Sequence, residues 1–228
     1  MRSLCKQLYG HPALPRALPF ILYIALLALA DVLGQSASAA YDVRLIYPCK
    51  VACVALLLVF FWQRYGELTR FSLQLPQILW SLITGAAVFL IWINLDQAWM
   101  SFGHSAGFDP RKLSGAIDWS LALPRFLGAA LVVPVMEELF WRSLVMRWID
   151  HPDFLNLSPA HIGLRALLVS SVLFGLEHTL WLSGVTAGLA YGWLYMKSKN
   201  LWAPVLAHAT TNGLLGLWVL QTGQWSFW

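Results

Sequence analysis

Charge is scarce in this chain. Of its 228 residues only 11% are Asp, Glu, Lys or Arg, against about a quarter in an ordinary soluble domain, while 59% are hydrophobic and 14% aromatic. That balance argues against a soluble globular domain and for a polytopic membrane protein. The three cysteines, Cys5, Cys49 and Cys53, are too few and too hydrophobically placed for a disulfide framework, and no paired CxxC spacing suggests a metal. The net charge of +4 comes from basic residues scattered in short gaps between apolar runs, so nucleic acid finds no basic stripe to bind. Equally missing are GxSxG, a cysteine nucleophile beside a histidine, and HExxH. Among enzymes, a water-activating hydrolase is what remains.

What the chain has is apolar length. Lipid offers no water to an open backbone, so a spanning segment must be a helix of about 20 mostly apolar residues. Seven segments qualify or nearly do: 17–34, 45–62, 76–95, 124–149, 165–181, 184–196 and 201–220. The sixth is short and glycine-rich, which suggests close packing or a broken helix. The predicted fold is therefore all-α, a transmembrane bundle of seven to eight helices forming one membrane-embedded domain over residues 1–228. No internal repeat is visible. The stretch between Asp96 and Leu123 is the longest polar gap, with room for an interfacial helix or an eighth span.

Alternating the spans from a cytoplasmic N-terminus puts nine basic residues inside and four outside, with Lys50 and Arg142 inside apolar segments. The expected location is the bacterial inner membrane, with the closing Gln224–Trp228 as an outer aromatic anchor. A secretory signal is the minority reading of the first segment, because its charged start is long and carries Pro12, Pro15 and Pro19. Asp31, Lys50 and Asp96 read as interfacial or snorkelling residues. Cys49 and Cys53 share a helical face and read as core packing.

Ionisable and imidazole groups inside a bilayer are costly and mark functional sites by default. Here they gather in three segments: Glu137-Glu138 with Arg142, Phe174 with Glu177-His178, and His208 with Asn212. Glu138 and Arg142 stand at i,i+4 with the acid N-terminal, the favourable order for an intrahelical ion pair. Glu137 turns about 100° away from Glu138 and can face a cavity. Its i+4 neighbour Trp141 is an apolar wall that suits a general base. His208 and Asn212 share a stripe at i,i+4, and both can donate to an oxyanion. Phe174 lies one turn before His178 and can fix its ring. Glu137 and His178 can activate water. A lone intramembrane histidine, or one Glu/Arg pair, is usually structural; several such residues on three helices are harder to explain that way. Glu137, His178 and His208 also make a His/His/carboxylate set of the catalytic zinc type.

These motifs, EExxxR at Glu137, Glu138 and Arg142, FxxxH at Phe174 and His178, and HxxxN at His208 and Asn212, resemble those of the CAAX-protease and bacteriocin-processing family of intramembrane proteases. The likeness covers about residues 120–220. YPCKVACVALLLVFF and TGQWSFW are similar to the bacterial subgroup that accompanies exosortase sorting systems. The resemblance implies a metal-independent, glutamate-type endopeptidase without cofactor. In it Glu137 and His178 activate water, His208 and Asn212 hold the oxyanion, and Glu138, Arg142 and Phe174 support them. Expected partners are the lipid bilayer, a membrane protein or lipid-anchored peptide as substrate, and an exosortase-type system. Glu177 lies outside the motif, with its role open. The rival readings are a non-catalytic scaffold or chaperone of a sorting system and a proton-coupled transporter, though no inverted repeat supports the latter.

One difficulty concerns depth. Counted from Pro124, Glu137 lies about 20 Å from the outer end of its helix, and His178 lies about 20 Å from the inner end of its own. In a core of about 30 Å the two miss each other by roughly 10 Å.

Overall fold

The computed structural model describes residues 10–36, 42–103, 105 and 107–228. Seven helices carry the fold: α1 (Ala13–Ser36), α2 (Ile46–Phe60), α3 (Leu75–Trp92), α4 (Trp119–Asp150), α5 (Leu164–Leu176), α6 (Trp181–Ser198) and α7 (Trp202–Thr222). They correspond one to one with the seven apolar segments, and no strand forms among the described residues. Four helical stretches, Ala13–Gly34, Val43–Phe60, Leu75–Trp92 and Trp119–Asp150, are long and apolar enough to cross a membrane.

The bundle buries its polar side. On α5, Leu164, Leu168, Val172 and Leu176 form an exposed apolar stripe at four-residue spacing, while Ser170, Ser171 and Phe174 turn inward. The outward faces of α1 to α3 are equally apolar, with Ile21, Leu56, Val59 and Ile83 exposed. That polarity suits a lipid solvent, in which apolar surface needs no covering. Cys49 and Cys53 lie on this outer surface, contrary to the core placement expected of them. Lys50 is the opposite case: it is only 4% exposed, its ammonium seated 3.8 Å from the centre of the Tyr23 ring, so it packs inward rather than snorkelling.

α4 runs through the centre and is not a regular helix. Asp118 starts it by accepting the Ser120 backbone N–H at 3.0 Å, the usual role of an aspartate cap. Two π-helical stretches follow, Gly128–Val132 and Leu139–Met146, on either side of the glutamate pair. Sequence explains the first. In π register Val133 donates to the Gly128 carbonyl, so the next acceptor, Ala129, faces Pro134, which has no N–H to give. Asn212 Nδ2 on α7 supplies the missing donor at 2.8 Å.

α5 and α6 pack almost backbone to backbone. A Cβ added at Gly188 would stand 2.8 Å from Ser171 Cα, and one at Gly184 would stand 2.8 Å from Gly175 Cα and 3.3 Å from His178 Nδ1. The glycine-rich sixth segment is thus a whole helix in close contact, as the composition suggested. Gly188→Leu is expected to force the pair apart and destabilise the protein by about 1–3 kcal/mol. A lowered thermal midpoint in detergent, with poor recovery of monodisperse protein, is the readout; an unchanged midpoint would refute the close packing.

The 96–123 gap holds a 3₁₀ turn at Ala98–Met100 and one bridge between Arg111 and Ile117, so its described residues form no eighth span. The C-terminal aromatics pack inward. Trp225 and Trp228 are buried in a small cluster with Ala122, Leu215 and Val219, and Gly107, at φ 69°, lets its backbone pass directly against the Trp225 carbonyl. Any side chain there would collide with that backbone.

Candidate active site

α5 ends at Leu176, short of the predicted 181, so His178 sits in the turn that follows rather than in a helix. Its backbone N–H still reaches the Gly175 carbonyl at 3.0 Å, and its Nδ1 meets the Phe174 carbonyl at 2.7 Å. A carbonyl only accepts, so Nδ1 carries the proton and Nε2 of the neutral ring is an acceptor. Phe174 and Trp92 flank the ring at centroid separations of 4.8 and 5.3 Å.

The depth difficulty disappears once α4 is measured from its other end. The helix has 32 residues, longer than a bilayer core requires. Glu137 stands 13 residues before Asp150, and His178 stands 14 residues after Leu164, at the same end of the bundle. Both therefore lie about 20 Å from that end. Glu137 and His178 do converge: with Glu177, each offers a ligand atom within 4.8 Å of the others.

His208 enters from α7. Its Nε2 lies 3.8 Å from Glu137 Oε2 and its Nδ1 2.9 Å from Glu138 Oε1. Tyr191 stacks on the ring at 4.9 Å and is itself held by a 2.6 Å bond to Thr211. Glu138 is fully buried and has two partners, His208 and the Arg142 Nε at 3.1 Å, so it orients a ring as well as balancing the arginine. Arg142 also lies 4.4 Å above the Phe174 ring, tying the first motif to the second. A cavity of about 190 Å³, room for several waters, has Glu137, Phe174, His178, His208 and Asn212 in its wall, with Arg125 among apolar and aromatic side chains completing it. One amide N–H of Asn212 holds Ala129; the amide has a second.

The residues singled out from sequence thus line one cavity, with Glu138 and Arg142 directly behind it. Glu177 is the one whose place the motif did not give. Its Oε1 accepts the Trp141 Nε1–H at 3.0 Å, which turns the carboxylate toward Glu137 and His178. Trp141 is therefore a hydrogen-bond donor in the site as well as an apolar wall. Only the next-door position of Glu177 to His178 could have signalled this. Among the described residues, Glu137, Glu177 and His178 are the set that could hold a divalent cation, with Glu177 taking the place that the sequence offered to His208.

Comparison with known proteins bears on the same region. Residues 119–214 match the family described as type II CAAX prenyl endopeptidase Rce1-like. YdiL of Bacillus subtilis (strain 168), named as a candidate membrane peptidase, is 24% identical over 148 residues. The match covers 63% of this chain and 57% of that protein, so the chain spans little more than half the length of its relative. No solved structure matches. The helices that bring the two glutamates, both histidines and the asparagine to one cavity are the ones matched, so it is in this part of the chain that the similarity to the Rce1-like CAAX proteases lies.

Proposed function

We propose that this chain is a metal-independent intramembrane endopeptidase of the glutamate type. The observation that carries the reading is the convergence of Glu137, His178 and His208 on one cavity inside a largely apolar bundle. A water between Glu137 and His178 gives its proton to the Glu137 carboxylate while its oxygen attacks the peptide carbonyl, and His178 Nε2 accepts the second O–H and aims the lone pair. The oxygen of the tetrahedral intermediate is held by the second N–H of Asn212 and by His208. With Nδ1–H given to Glu138, His208 Nε2 donates only once it has taken a proton, and Glu137 at 3.8 Å is the adjacent source. Collapse breaks the C–N bond, and the proton first taken from water goes to the leaving amine.

In the orientation that puts most basic residues inside, this cavity lies about 20 Å from the cytoplasmic ends of α4 and α5, in a bacterial inner membrane. The substrate is a membrane protein or lipid-anchored peptide, and an exosortase-type system is its proposed context. A purified full chain in lipid nanodiscs is expected to cleave a randomised peptide library, with cut sites read by mass spectrometry. Activity is expected to survive chelation by EDTA or phenanthroline. Activity lost to the chelator and restored by zinc would instead make Glu137, Glu177 and His178 a metal site.

A further inference from the structure

The catalytic cavity opens into a larger one, about 770 Å³, whose wall runs from Glu137 and His178 to Gly34, Arg44, Ser105 and Ser226. Those four stand at one end of the bundle, where α1 and α7 finish and α2 and α4 begin. His178 belongs to the same end. α5 has 13 residues, about 20 Å in a core of about 30 Å, so the turn 177–180 lies beneath that boundary. The connection between α3 and α4 passes over it, with the Phe102 N–H donating to the Thr179 carbonyl at 2.8 Å. The opposite end is closed. Among the described residues none from the connections there, 61–74, 151–163 and 199–201, lines either cavity. Between that end and Glu138 lies the buried network of Arg16, Ser143, Arg147 and Glu67. The closed end is also the basic one, with Arg64, Arg70, Arg165, Lys197 and Lys199 in or beside its connections. At the open end Arg44 and Arg111 are neutralised by Asp42 and Asp109, at 2.8 and 2.6 Å.

We infer that the catalytic cavity is entered from the extracytoplasmic face, and that its substrate is a flexible segment of an exported membrane protein, beside its anchor on that face. The inference rests on the peptidase reading above and adds the side from which substrate arrives. Lys and Arg are retained on the cytoplasmic side of a membrane, so the closed, basic end is cytoplasmic and the mouth faces away from it. Glu137 and His178, about 20 Å from the cytoplasmic end, then lie about 10 Å below the other boundary. An extended chain advances about 3.4 Å per residue, so about three residues cover that depth. A space of about 770 Å³ admits such a strand and no folded domain. A cytoplasmic tail would meet the Glu67 network before it met the catalytic pair. The class of reaction that must supply this substrate is therefore translocation of a polypeptide across the membrane.

The test uses the full chain with Cys5, Cys49 and Cys53 replaced by Ser and one cysteine returned at Gly10 or at Gly34. These glycines stand near the two ends of α1, and a Cβ added at either meets nothing within 4 Å, so neither variant disturbs packing. In sealed proteoliposomes the chain inserts both ways, and a charged, randomised peptide library added outside reaches only molecules whose mouth faces out. A bulky membrane-impermeant maleimide added to the same side is expected to abolish cleavage in Gly34→Cys and to leave it unchanged in Gly10→Cys. Survival in Gly34→Cys, or loss in Gly10→Cys, overturns the inference. In intact bacterial cells the reagent is expected to label Gly34→Cys and to reach Gly10→Cys only after permeabilisation. The opposite pattern puts the mouth on the cytoplasmic side and overturns the inference equally. Thr179→Cys, next to His178 in the cavity wall, reads the opening without any cleavage: a small charged thiosulfonate is expected to modify it in intact cells. Modification from outside in a chain that cleaves nothing would sink the peptidase and keep the mouth where it is. Cleavage by a chain whose Thr179→Cys reacts only from the cytoplasmic side would do the reverse.

Discussion

Glu137→Gln is expected to lower peptide turnover by about 10²–10⁴-fold while the protein is recovered at normal abundance and melts where the native chain does. Gln keeps the volume and one acceptor but cannot take a proton from water. Glu137 has its partner across the cavity rather than in a structural ion pair, so little packing depends on its charge. His178→Ala belongs to the same test, since its Nε2 is the acceptor proposed to aim the water. Cleavage that persists in both variants removes the assignment of the pair as catalytic. Loss of folded protein in step with loss of cleavage would favour the scaffold reading, in which the polar cluster only fixes helix packing.

The second large effect is expected far from that cavity. Glu67, in the loop between α2 and α3, accepts from Arg16 on α1, from Arg147 on α4 at 3.1 Å, and from Ser143 at 2.6 Å. Arg16 and Arg147 are 2% and 4% exposed, so Glu67→Ala leaves two buried guanidinium groups facing each other without an anion. Removing one partner of such a group costs about 3–5 kcal/mol. For a chain of this size that is a fall of roughly 10 °C in the midpoint of thermal unfolding. Glu67→Gln keeps one of the two acceptor oxygens, loses the charge, and should fall less. An unchanged midpoint in Glu67→Ala would mean that the arginines reach other acceptors, of which Arg147 already has the Leu155 and Leu157 carbonyls.

The contrast between these two glutamates shows what a sequence of this kind discloses. Glu137 was legible because an acid inside an apolar segment has a cost that nothing in span formation explains, and because spacing within one helix fixes direction. The same reasoning gave the Glu138–Arg142 pair and the shared stripe of His208 and Asn212. Glu67 was not legible, since a charged residue in a loop is ordinary and its burial depends on α1 and α4 closing over it. Glu177 was hidden for a related reason: what aims it is Trp141, 36 residues away on another helix. Lys50 looked interfacial because its depth along α2 was visible and the Tyr23 ring beneath it was not. The supposed mismatch in height had yet another source. Segment ends were set by where hydropathy falls, whereas α4 continues past them at the Trp119 end, so its nominal outer end was the wrong origin for the count.

The proline-induced widening of α4 sets a limit on how this chain can vary. A wide turn accommodates one residue more than an α-turn while keeping the turns on either side in phase, so excising a single position between Gly128 and Val132 would let the regular ladder re-form with Arg125 and Glu137 facing as they do now. What such an excision would remove is the vacant Ala129 carbonyl on which the Asn212 amide is anchored. Length at this point of the polypeptide is therefore constrained through α7, although the region is apolar, lacks any acid or base of its own, and would accept many substitutions of similar size.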